Sequence, residues 1–69
     1  MDNICMKFGT NVKKHRQAKG YSQEKLAEIT GLHRTYISSV ERGTRSISLN
    51  NIEKIAKSLD IEIYELFKF

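Results

Sequence analysis

Residues 23–42, QEKLAEITGLHRTYISSVER, constrain this chain more than any other stretch. Ala27 falls near the middle of the first half, where a larger side chain would push a neighbouring helix away. Gly31 sits at the junction, where a tight turn needs a positive φ that glycine adopts at little cost. Leu26, Ile29, Ile37 and Val40 are apolar at positions expected to face inward. Two short helices joined by a tight turn satisfy all of these features. They spell a helix-turn-helix, whose second helix would present its N-terminal residues to base edges in the DNA major groove.

The remaining residues have to hold and pair that motif. Sixty-nine residues with no proline and no glycine-rich linker fit a single domain over 1–69. A chain this short gains from association with a second copy. The start, MDNICMKF, lacks the basic end and long apolar core of a signal peptide, and no apolar run could span a bilayer. We therefore expect a cytoplasmic protein without a membrane partner. The single cysteine, Cys5, suits a reducing compartment. Charge is unevenly placed: residues 1–45 hold nine Lys/Arg against four Asp/Glu, whereas residues 46–69 hold three against four. The basic part carries the motif, as contact with a polyanion requires.

Helix boundaries follow from a repeated device, an apolar residue before the N-cap that packs on the residue five later. Tyr21 with Leu26 flanks Ser22, Leu32 with Ile37 flanks His33, Ile47 with Ile52 flanks Ser48, and Ile61 with Leu66 flanks Glu62, a poor cap. These predict helices at 23–30, 34–42, 49–59 and 63–67. A first helix should start at Ile4 or Lys7 and end at Ala18 or Lys19, with the apolar stripe Ile4, Phe8, Val12 and a stop at Gly20; the first six residues are expected to fray. Leu49, Ile52, Ile55, Ala56 and Leu59 give the fourth helix a broad core face. The fold expected is an all-α, compact five-helix domain.

Arg16 continues the stripe of the first helix, where a buried cation needs a carboxylate; Glu41, at the inward end of the motif, is the expected partner. In the tail, residues 61–69, the large apolar groups exceed what one short helix can bury. Ile63, Tyr64, Phe67 and Phe69 are therefore assigned to a homodimer interface. The alternative is that these side chains fold back onto the first and fourth helices.

Toward double-stranded operator DNA, Arg34, Thr35, Ser38, Ser39 and Arg45 are the candidate base readers. Arg34 leads, since its planar fork can donate twice to guanine O6 and N7. Gln23, Tyr36, Arg42, Thr44 and Ser46 are candidate backbone contacts, Gln23 through a phosphate at the helix N-terminus. Tyr36 is equally readable as a core residue or as a contact that senses DNA shape.

These residues carry a resemblance to the phage-repressor-like helix-turn-helix family of Xre or Cro/C1 type. Arg16, Gly20, Ser22, Gln23, Leu26, Ala27, Gly31, Ile37, Glu41 and Gly43 fall on its signature positions. The stretch GLHRTYISSVERGTRSISLNNIEKIAKSLDI most resembles the controller proteins of restriction–modification systems. His33 departs from the family's usual small polar cap, and Ser46 stands where many controllers have asparagine. The resemblance implies a homodimer joined largely through C-terminal helices. Such dimers bind paired half-sites, activate endonuclease expression and repress their own promoter. It also implies a contact with RNA polymerase near Glu24 and Glu28. The rival within the family is a phage, plasmid or antitoxin-type repressor without activating role. Enzymatic or metal function finds little support: Cys5, His15 and His33 lack metal-site spacing, no cofactor motif is present, and no nucleophile–base order is apparent. A purely protein-binding adaptor would lack salt-dependent DNA binding.

Overall fold

The computed structural model describes residues 3–69; Met1 and Asp2, part of the stretch expected to fray, lie outside the described residues. Four α-helices are followed by a short 3-10 helix: α1 (Ile4–Ala18), α2 (Gln23–Thr30), α3 (Arg34–Arg42), α4 (Leu49–Ser58) and the closing turn Ile63–Phe67. The fifth helix is thus a 3-10 turn. Its residues are too few, and its sequence too crowded with branched and aromatic groups, for an α-helix to propagate.

The helix starts fall where the repeated apolar pairs place them. Ser22 Oγ accepts from Lys25 N at 2.9 Å and Ser48 Oγ from Asn51 N at 3.2 Å. Tyr21, Leu32, Ile47 and Ile61 all pack against the core, and their partners Leu26, Ile37, Ile52 and Leu66 are buried within it. His33 makes no capping hydrogen bond with its side chain, as its departure from the family cap suggests. Glu62 is better served than its residue type implies, because the Glu65 carboxylate accepts from its N–H at 3.2 Å. Asn3 caps the first helix, its Oδ1 accepting from Met6 N at 2.9 Å, and α1 starts at Ile4.

The core is formed by Phe8 and Val12 of α1, Leu26 and Ala27 of α2, Ile37 and Val40 of α3, Ile52, Ile55 and Ala56 of α4, Leu59, and Leu66. α1 packs chiefly on α3, α2 on α3 and α4, and the closing turn between α1 and α4. Three residues expected to face inward do not. Ile4, Ile29 and Leu49 are 57%, 42% and 83% exposed. Ile4 and Leu49 open their helices, where the packed face has not yet met a neighbour; Ile29 falls in the last turn of α2. The α2–α3 junction does use Gly31, at φ +77.

Two contacts set how α1 meets α3. A Cβ built on Gly9 would lie 2.1 Å from the Val40 carbonyl oxygen, so only glycine allows this approach of the two backbones. Farther along α1, Arg16 Nε donates to Glu41 Oε2 at 2.7 Å and Nη2 to Oε1 at 3.0 Å, a bidentate pair with both residues buried. Arg16 Nη1 also donates to the Tyr21 carbonyl at 2.8 Å. The hydrogen bond to Glu41 holds the guanidinium above its ordinary pKa, against the lowering effect of burial. Arg16 therefore stays cationic in the folded chain.

Replacing Glu41 with alanine strands a buried cation and should cost about 3–5 kcal/mol. Urea unfolding of Glu41→Ala should show that loss; an unchanged midpoint would refute a stabilising pair.

Candidate nucleic-acid interface

The inward side of α3 is fixed by Ile37, Val40 and Glu41, and this decides what the helix presents outward. Arg34 and Thr35 are exposed at its N-terminal end, and Ser38 and Ser39 are half-buried one turn later. This is the geometry a groove-reading helix needs: long donors first, short side chains where the backbone must approach closely.

Arg34 is held at two points. Its Nη1 donates to Gln23 Oε1 at 3.3 Å, and its Nε lies 3.9 Å from Glu24 Oε2. Gln23 in turn donates from Nε2 to Glu41 Oε1 at 3.1 Å. A polar chain thus runs from the buried Arg16–Glu41 pair through Gln23 to the tip of α3. The Gln23 side chain, expected to face a phosphate, is the link in that chain. Its spacing from Glu41 gave no sign of this, because the contact depends on how α2 crosses α3.

At the other end of α3, Arg42 folds back along its own helix. Its Nη1 donates to Ser38 Oγ and its Nη2 to Ser39 Oγ at 3.5 Å. Both serines placed among the base readers are therefore covered by a cation three or four residues on. Thr44 closes the helix end, its N–H and Oγ1 donating to the Ser39 carbonyl at 3.1 and 3.2 Å. Ser46 Oγ lies 4.0 Å from Cys5 Sγ, near the start of α1.

Tyr36 sits as its core reading requires. It is half-buried and packs against the core, yet its hydroxyl accepts from Asn51 Nδ2 at 3.1 Å, and Arg45 lies over its ring with the guanidinium carbon 5.0 Å from the centroid. The ring is a platform on which the loop arginine stacks. Asn51, in the first turn of α4, is the residue that sequence reasoning missed; beside a Ser48 cap it reads only as part of a helix start. Three guanidiniums, of Arg34, Arg42 and Arg45, thus belong to α3 and the loop after it. The tail residues Ile63, Tyr64, Phe67 and Phe69 belong to the closing turn and its end. No group of three or more His, Cys, Asp or Glu suited to a metal ion occurs among the described residues.

Residues 12–66 match the HTH_3 helix-turn-helix family model. The control protein C.BamHI of Bacillus amyloliquefaciens is 52% identical over 69 residues, covering 99% of this chain and 85% of that protein. The structure of the restriction-modification controller protein C.AhdI from Aeromonas hydrophila superposes with a TM-score of 0.89 at 54% identity, over 91% of this chain and 96% of that one. The biofilm regulator SinR, solved in complex with DNA, matches with a TM-score of 0.84 at 35% identity, over 88% of this chain and 98% of its own. Among the described residues no helix is long and apolar enough to cross a membrane.

If Arg34 reads a guanine, Arg34→Ala should lose about 1–3 kcal/mol on the preferred duplex and far less on random DNA. Titration of both duplexes by fluorescence anisotropy checks this. Equal losses would reduce Arg34 to a phosphate contact.

Proposed function

The chain belongs to the HTH_3 helix-turn-helix family, and within it we propose a restriction–modification controller: a homodimer that activates endonuclease expression and regulates its own promoter. DNA-binding regulation is the activity of the family. The finer assignment is carried by one observation. Likeness to control proteins extends along nearly the whole chain, beyond the helix-turn-helix to α1, α4 and the tail.

In this reading α3 enters the major groove. Arg34 and Thr35 reach base edges first, and Ser38 and Ser39 let the helix lie deep. Arg45, on its Tyr36 platform, reaches a base or the backbone beside the groove. Arg42, Thr44 and Ser46 face the phosphates. Nothing in this arrangement needs a cofactor.

The tail supplies the pairing surface. Ile63, Tyr64, Phe67 and Phe69 are 43%, 62%, 41% and 59% exposed, an apolar concentration that a soluble surface does not need. Phe67 also serves the fold, its ring centroid 5.1 Å from that of Phe8. The domain measures 31 × 23 × 22 Å. In the same reading, activation brings RNA polymerase to the acidic surface of α2 near Glu24 and Glu28, the latter paired with Lys25 at 3.1 Å.

Footprinting upstream of the protein's own gene, with a promoter–reporter assay, tests the assignment. Protection of a palindromic site, steeply weakened by salt, with endonuclease-promoter activation is the expected result. Repression alone would move the protein to the plain repressors. For pairing, Ile63→Asp with Tyr64→Asp alters only exposed positions and should yield monomers by sedimentation where the parent is dimeric. A persistent dimer would place the interface elsewhere.

A further inference from the structure

The acidic residue nearest the recognition arginine has no part in DNA reading in the account above. Glu24 lies in the first turn of α2, where a carboxylate suits the positive end of the helix. That preference explains an acid at this position but not its direction. Its Oε2 is 3.9 Å from Arg34 Nε, across the motif on the other helix. Glu28, one turn on, pairs instead with Lys25 of its own helix. Arg34 is thus the one cation of α3 that faces a carboxylate among the described residues.

Phosphate and guanine make different demands on a guanidinium. Phosphate attraction is largely Coulombic, is the same at every sequence, and supplies nonspecific affinity. The guanine contact is directional and needs two donors on one edge of the fork. A carboxylate 3.9 Å from Nε offsets a part of the charge that a phosphate would feel. It leaves donors on Nη1 and Nη2 in place. Gln23, anchored on buried Glu41, meets Nη1 and limits where the fork can swing. The Arg34 and Glu24 side chains are 51% and 73% exposed, so the pair is weak enough to adjust when a base edge arrives.

We propose that Glu24 is a specificity-determining positioning residue: its carboxylate, held against Arg34, weakens that guanidinium toward phosphate and reserves it for guanine. The cost is some total affinity and the gain is a larger difference between right and wrong DNA. This rests on the reading of Arg34 as a base contact.

The test uses the duplex that the full chain enriches from a random-sequence pool, and a scrambled duplex of equal length. The ratio of the two affinities is measured for the parent, Glu24→Gln, Arg34→Ala and the double variant. Glu24→Gln should tighten binding to scrambled DNA and lower the ratio about two- to five-fold, the size an exposed ion pair supports. In the Arg34→Ala background the same change should leave the ratio within about 1.5-fold, since there is no guanidinium left to restrain. Tightening on both duplexes by one factor would mean simple charge repulsion and overturn the proposal. So would an undiminished effect without Arg34. Should Arg34→Ala itself leave the ratio unchanged, or should no sequence be enriched, it is the base-reading role that fails, and the inference with it.

Discussion

The Arg16–Glu41 pair is the contact on which the rest of the structure depends. It is the one place where a charged group of α1 enters the interior, and it does so to meet the last inward position of α3. A bidentate fork on a carboxylate has little angular tolerance, so it fixes the relative rotation of the two helices more tightly than aliphatic packing does. The same carboxylate takes a third hydrogen bond from Gln23 and so holds the start of α2 as well. Three helices are tied at one carboxylate, and the recognition surface is what they leave facing out. Such a pair is not an efficient source of stability compared with apolar groups of the same volume. Its value here is geometric.

Most of the fold was legible in the sequence because its helices announce their starts. Four apolar residues before four caps mark α2, α3, α4 and the closing turn, and the structure packs all four against the core. The Arg16–Glu41 pairing was legible for a similar reason: a cation on an apolar stripe demands a partner, and few carboxylates were available. What the pattern overstated was burial near helix ends. Ile4, Ile29 and Leu49 have the right spacing, but a stripe describes direction and not the extent of the neighbouring surface. What it missed altogether was Gly9, since a glycine within a helix gives no local sign of how closely another backbone approaches.

The candidate site was legible in composition and not in its connections. Arg34, Thr35, Ser38, Ser39 and Arg45 stand outward of the core face, as their register requires. Their partners were not foreseeable, because Gln23, Glu24 and Asn51 meet α3 or its loop only through tertiary crossing. The result is that the site's long polar side chains do not wave freely in solvent. Arg34 rests on Gln23, Arg42 on Ser38 and Ser39, and Arg45 on Tyr36. Ordering such side chains beforehand lowers the conformational entropy that association must otherwise overcome.

One contact far from α3 bears on the same surface. Asn11 Nδ2 of α1 donates to the carbonyls of Leu66 and Lys68, at 3.0 and 3.1 Å. α1 therefore grips the tail with Asn11 and the recognition helix with Arg16, little more than one turn along. In a dimer paired through that tail, α1 becomes a ruler. The distance between the two reading heads would then depend on one short stretch of helix, Asn11 to Arg16, held at each end. Such a dimer would measure the spacing of its half-sites as strictly as it reads their bases, and a base pair inserted between them would be felt as a mismatch in length.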